Sequence, residues 1–271
     1  MRGLWHLVIW GMFAATGCST PQQARKADDP KARLQLAKKY FEQKKYYRAL
    51  PLFDELMTYF RGTPEMEDLL YRLAWCHYHT GEFLVAAYHF KNYATTYADN
   101  ARAEECLFMH ARCYYEIAPP MRLDQRYTYD CMDAIQIFAN NYPQSPRMAE
   151  ANAMMDDLIA RLQNKAFFNA YLYYRMERYK AAATAFDNML HDYPDAPQAE
   201  QVHFLILKSW YLYALNSIPS KQTERYQQVT RLYTQFRSRY PQSAYLKEAT
   251  QLYETSLQQL QKLQQHEHAQ N

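Results

Sequence analysis

Glycine is scarce in this chain. Its 271 residues hold five, and beyond residue 17 only Gly62 and Gly81 remain. Phosphate-cradling loops and tightly turned β-folds need glycine wherever the backbone enters φ > 0 or closely approaches a ligand. No P-loop, Gly-x-Gly-x-x-Gly, Gly-x-Ser-x-Gly or His-Glu-x-x-His pattern occurs, so a nucleotide fold and the common hydrolase motifs find no support. A net charge of +3 without a long basic run gives no electrostatic footprint for nucleic acid. The five cysteines form no Cys-x-x-Cys pair. Long apolar runs are missing too. The stretch Leu4 to Ala15, broken by His6 and Gly11, is too short to span a hydrocarbon core of about 30 Å, and no other segment is apolar enough.

What is present at the start has a different logic. Arg2 precedes the apolar stretch, which ends in Ala15-Thr16-Gly17-Cys18. This resembles a bacterial lipobox, with Ala15 where Leu is usual. It predicts a signal peptide over 1–17 and lipidation of Cys18; the alternative is an ordinary secretory signal that happens to contain a cysteine. Ser19 after the cysteine favours the outer membrane over retention at the inner one. Residues 18–30, with Pro21 and Pro30, read as a lipidated flexible tether. The expected location is the bacterial outer membrane, lipid-anchored, with the body facing the periplasm. No cofactor is expected beyond the covalent lipid (palmitate) on Cys18.

The rest of the chain repeats. Five times, four slots recur at offsets of 4, 3 and 4. A small residue (Ala49, Ala86, Cys131, Ala182, Val229) is followed by a bulky one (Phe53, Phe90, Ile135, Phe186, Tyr233). A second bulky residue (Leu56, Tyr93, Phe138, Met189, Phe236) and an aromatic (Phe60, Tyr97, Tyr142, Tyr193, Tyr240) complete the set. That spacing puts all four on one helix face. Three sets close as Tyr-Pro, at Tyr142-Pro143, Tyr193-Pro194 and Tyr240-Pro241. A second helix precedes each set, joined by turns such as Lys44-Lys45-Tyr46, Gly81-Glu82-Phe83 and Glu177-Arg178-Tyr179. The sets resemble the tetratricopeptide (TPR) pattern, with wider spacing than usual in the later repeats.

The expected fold is therefore all-α, a right-handed solenoid of about five TPR-like helix pairs with a C-terminal capping helix over Ala244 to Gln265. N-terminal repeats are expected over 31–117, an insertion loop over 118–127 around Pro119-Pro120, and C-terminal repeats over 128–271. Pro146 to Arg175 reads as one long helix or two abutting ones. Pro51 is awkward: the helix starts at about Leu50 or kinks there.

No residue set supports catalysis. Carboxylate pairs such as Asp156-Asp157 and Glu104-Glu105 read as solvent faces, and His266 and His268 lie in a polar tail. Cys106, His110 and Cys113 share a helix face and with a fourth ligand could hold Zn²⁺, but their apolar neighbours favour a buried seam, and no metal is expected. Cys76, Cys106, Cys113 and Cys131 read as buried thiols, with one disulfide as the alternative. Binding has better support. If first helices line a groove, the lining includes Lys38, Phe41, Tyr71, Trp75, Tyr78, His79, Phe108, Arg112 and Tyr115. Aromatic and arginine enrichment suits an interface, and a groove for an extended peptide is one form it can take.

Signal, lipobox and repeats together resemble the BamD family of outer-membrane β-barrel assembly lipoproteins. The resemblance rests on Asp124-Gln125, Tyr142-Pro143-Gln144-Ser145, Ala170 to Tyr174, Tyr179-Lys180-Ala181-Ala182, Asp192-Tyr193-Pro194-Asp195 and Tyr240-Pro241-Gln242-Ser243. It implies a non-enzymatic scaffold that binds the periplasmic domains of a BamA-like barrel protein through its C-terminal repeats, with Arg178 and Lys180 as candidate contacts. It also implies that the N-terminal repeats receive unfolded outer-membrane proteins, with Tyr47, Arg48 and Phe60 in suitable first-repeat positions. Other lipoproteins of the same machinery are further expected partners. The alternative is another periplasmic TPR lipoprotein, an adaptor in pilus assembly or envelope division.

Overall fold

The computed structural model describes residues 29–270, with side chains to residue 265. The expected signal, Cys18 and the tether up to residue 28 lie outside the described residues, as do the side chains of His266 and His268. Among the described residues all regular structure is helical. The helices are α1 (Pro30–Glu42), α2 (Tyr46–Leu56), α3 (Glu65–His79), α4 (Phe83–Thr96), α5 (Ala103–Ile117), α6 (Arg126–Asn141), α7 (Met148–Arg175), α8 (Tyr179–Asp192), α9 (Ala199–Leu215), α10 (Pro219–Arg239) and α11 (Leu246–Gln270). They fall into two compact units, one ending at Ile117 and the other beginning at Ala118. The first holds α1 to α5 and the second α6 to α11.

The repeated slots explain why these residues pack. Every residue at the first three slots is buried, from Ala49, Phe53 and Leu56 through to Val229, Tyr233 and Phe236. Each large side chain so buried contributes about 1.5–3 kcal/mol of transfer free energy. The small slot lets the neighbouring helix approach. The fourth slot ends the helix. Tyr97, Tyr142, Tyr193 and Tyr240 are the C-caps of α4, α6, α8 and α10, each donating its amide to the carbonyl four residues earlier. In three of them the ring also folds back on the third slot, with Tyr93–Tyr97, Phe138–Tyr142 and Phe236–Tyr240 centroids 5.2, 5.9 and 5.4 Å apart. Proline after the cap disfavours a helical conformation there.

One connection serves all five repeats. The carbonyl of the closing aromatic accepts the amide three residues on, and that residue's carbonyl accepts the next amide three further on. Phe60–Thr63–Met66, Tyr97–Asn100–Ala103, Tyr142–Ser145–Met148, Tyr193–Ala196–Ala199 and Tyr240–Ser243–Leu246 all follow it. Inside three repeats the turn between paired helices needs a left-handed residue at the same slot: Lys44 (φ 56), Gly81 (φ 83) and Glu177 (φ 58). Glycine fills it only once.

Several boundaries differ from expectation. The tether does not reach residue 30, because Asp29 caps α1 by accepting the Lys31 amide at 2.9 Å and Pro30 opens the helix. α2 begins at Tyr46 and runs through Pro51 instead of starting at Leu50. Pro51 is exposed, so the Tyr47 carbonyl that loses an amide partner can take water. The insertion loop is 118–125, since α6 starts at Arg126. Gln125 pins it by donating to the Pro120 and Leu123 carbonyls, each at 3.0 Å. Pro146 to Arg175 resolves into a single helix, α7, of 28 residues. α11 starts at Leu246 and not Ala244, because the double turn through Ser243 comes first, and it extends to Gln270. Cys76, Cys106, Cys113 and Cys131 are free and buried.

Candidate protein-recognition surfaces

In the first unit, α1, α3 and α5 are the first helices of successive repeats, and their side chains bridge one another. Lys38 on α1 pairs with Asp68 on α3 at 2.8 Å. Arg72 on α3 reaches back to Glu42 at 2.6 Å and along its own helix to Asp68 at 2.9 Å. Arg102, just before α5, meets Asp68 at 3.1 Å. The Tyr71 hydroxyl donates to Glu105 on α5 at 2.9 Å, and Tyr93 donates to Glu67. Asp68 is the centre of this network. Burial alone would raise its carboxyl, but hydrogen bonds from Lys38, Arg72 and Arg102 outweigh it and hold it at about 2. Burial, then the bond to Glu105, pushes the Tyr71 hydroxyl up to about 12.

Beside the charges runs a line of rings. Phe41 and Tyr46 meet edge to face at 5.5 Å, and Tyr46 stacks on His79 at 4.1 Å. His79 stacks on Trp75 at 5.5 Å, and Trp75 meets Tyr78 at 5.6 Å. Arg72 lies 5.0 Å over Phe41, Arg102 4.4 Å over Tyr71, and Arg112 5.7 Å over Tyr115. The cations near the rings are matched by carboxylates, so what this face offers a ligand is mainly partly exposed aromatic surface.

Most of the expected lining is therefore brought together: Lys38, Phe41, Tyr71, Trp75, Tyr78, His79, Arg112 and Tyr115. Phe108 and Phe60 are corrections. Each is only 5% exposed; Phe60 packs in the first-repeat core with Phe53 and Leu56, so neither ring is available to a ligand. Tyr47 and Arg48 lie on α2, not on a first helix. Arg48 sits 5.9 Å over Tyr40 and 5.6 Å over Tyr47, an exposed cluster of its own. The sequence reading missed Asp68, Arg72 and Arg102. The i,i+4 pair Asp68/Arg72 was the available signal, since such a pair marks a charged helix face.

In the second unit, the end of α7, the start of α8 and the end of α9 enclose an open groove of about 640 Å³. Arg178 and Lys180 line it, with Glu177, Tyr173, Tyr179, Tyr213 and Ala185. Neither cation makes an ion pair with the described residues. Arg225 lies 3.7 Å over Tyr213 and holds that wall. Leu172, Tyr173 and Met176 at the end of α7 are exposed, as are Leu215, the last residue of α9, and Ile218 just beyond it. The expected contacts Arg178 and Lys180 thus stand in a concave aromatic site. The tyrosines around them were not expected.

Neither surface carries a reactive centre. Burial pushes the Cys76, Cys113 and Cys131 thiols up to about 12 and Cys106 higher still, so none is a ready nucleophile. The Cys106–His110–Cys113 trio lies in the core, where His110 donates from Nδ1 to the Ala87 carbonyl at 2.9 Å. Among the described residues no group of three His, Cys, Asp or Glu side chains is placed to hold a metal. Nor is any helix among them long and apolar enough to cross a membrane.

Comparison with known families gives a match over most of the chain. The model of the YfiO family, described as an outer membrane lipoprotein, matches residues 26–224. No curated protein matches. Similar solved structures include the P58(IPK) TPR domain, at 16% identity and a TM-score of 0.42, covering 90% of this chain and 67% of that one. Another is the TPR2AB domain of yeast Sti1 in complex with pHSP90, at 11% identity and a TM-score of 0.38, covering 84% and 98%. A tetratricopeptide repeat protein from Parabacteroides merdae is similar at 14% identity and a TM-score of 0.34, covering 86% and 78%.

Proposed function

Since this chain belongs to the YfiO family of outer membrane lipoproteins, we propose that it is a non-enzymatic scaffold of the β-barrel assembly machinery. It is anchored by lipid on Cys18 and faces the periplasm. Its second unit holds the periplasmic part of a BamA-like barrel protein. Its first unit receives unfolded outer-membrane proteins, and other lipoproteins of the machinery are further partners. The observation that carries this reading is the groove of the second unit, where Arg178 and Lys180 stand unpaired between tyrosines. Two cations without an ion-pair partner outnumber the one carboxylate of the lining, Glu177, and set among tyrosines they suit an acidic and apolar protein partner better than a small substrate. The first-unit face suits a different ligand, because its charges are already paired and its rings are open to an extended chain with aromatic side chains.

Charge reversal tests it. Arg178→Glu with Lys180→Glu is expected to abolish co-purification of the barrel protein while leaving the helical signal intact. A partner carrying the opposite charge change should restore it. Unchanged recovery, or recovery of a pilus or envelope-division protein in its place, rejects the reading.

A further inference from the structure

We propose that the stacked rings of His77 and His89 form a proton-sensitive joint between α3 and α4 that opens the aromatic face of the first unit in acid. The two rings lie parallel within 6°, with centroids 5.1 Å apart. They are 5% and 8% exposed, and His77 Nε2 and His89 Nδ1 have no hydrogen-bond partner. The surroundings of the two rings are unequal. From the α3–α4 turn, Glu82 meets His77 Nδ1 at 2.8 Å, and from α2, Asp54 lies 4.0 Å from His77 Nε2. Two carboxylates thus face the His77 ring. His89 has none. Its neighbours are the Tyr88 ring, 5.2 Å away on α4, and His77 itself.

The other groups packed here place no carboxylate beside His89. Cys76 on α3 stays a thiol, because burial and then Asp54 push it up to about 12. Burial outweighs the field of His77 and raises Asp54, so acid weakens this carboxylate early. From α5, His110 is tied to the Ala87 carbonyl and feels Lys91. Burial, then His77, pushes His89 down to about 4. A proton on His89 must therefore enter a dry site against a parallel ring with no carboxylate beside it, and separating α3 from α4 relieves that cost. α3 carries Tyr71, Trp75, Tyr78 and His79, and Trp75 packs on Phe90 of α4 at 5.4 Å across the same seam. Opening the seam dismantles the face. The inference rests on this geometry and not on the identity of any partner.

Amide hydrogen exchange over α3, corrected for intrinsic rates, tests it at about pH 7 and about pH 4.5. His89→Gln keeps a polar side chain that does not titrate, and His89→Phe keeps a ring in case the first variant folds poorly. The unmodified protein is expected to lose roughly 60-fold more protection on acidification than either variant. His110→Gln should retain that response in α3. Equal acid loss in the unmodified protein and both His89 variants overturns the proposal, as does a response that His110→Gln alone removes.

Discussion

Asp68 on α3 accepts Lys38 of α1 at 2.8 Å and Arg102 of the α4–α5 connection at 3.1 Å, so one carboxylate joins three repeats of the first unit. Three cations share it, counting Arg72. Asp68→Asn leaves those cations facing a neutral amide and is expected to cost about 1–3 kcal/mol. The sign of the pH effect follows from the lowered value of about 2. The contribution is complete above about pH 4 and is lost as pH falls towards 2. Urea unfolding at neutral and low pH checks both, and the variant should lose the low-pH part of the dependence.

The left-handed slot predicts opposite outcomes for matching substitutions. Lys44 and Glu177 bear a side chain at φ 56 and 58, where glycine is favoured. Lys44→Gly and Glu177→Gly are expected to stabilise by about 0.5–1 kcal/mol, whereas Gly81→Ala should destabilise by about 1–2 kcal/mol. A Cβ at Gly81 meets nothing within 4 Å, so the penalty is conformational and not steric crowding by neighbours. Thermal melts of the three variants decide the signs.

Buried His110 predicts a second pH effect. Burial pushes its ring down to about 4, against the bond to the Ala87 carbonyl, with Lys91 adding to the fall. A depressed value means that stability is fully present above the unfolded value of about 6.5 and is lost as pH falls towards 4. The loss is on the order of 3 kcal/mol. His110→Gln should remove that share of the acid loss and leave the share due to His89, as measured by urea midpoints across a pH series.

The closing prolines should matter little. Tyr97 caps α4 at φ −120 with Ala98 after it, close to the geometry that Tyr142, Tyr193 and Tyr240 adopt before proline. Pro143→Ala, Pro194→Ala and Pro241→Ala are each expected to cost under about 1 kcal/mol, and Phe186→Ala about 3–5 kcal/mol, in the same thermal assay.

The repeats were legible because their slots answer to one physical demand. Ala86, Phe90 and Tyr93 must face the core together, and only a helix puts offsets of 4 and 3 on one side. Helix ends followed from the same slots, since Tyr142 and Tyr193 are both the last packing residue and the cap. Pro51 misled because an exposed helix face can leave a carbonyl to water, which local propensity does not reveal. Phe108 and Phe60 misled because an aromatic at a plausible groove register packs equally well inward. The tyrosines around Arg178 and Lys180 come from three separate helices, so only tertiary structure gathers Tyr173, Tyr179 and Tyr213. Asp68 gathers its cations in the same way.

The most direct test is photo-crosslinking in living cells from probes placed at Tyr173 and Tyr213 in the second unit and at Trp75 and Tyr78 in the first. The account predicts that the second-unit probes capture the BamA-like barrel protein and the first-unit probes capture unfolded outer-membrane proteins. Capture of neither class from either unit, with the protein folded and anchored, contradicts it.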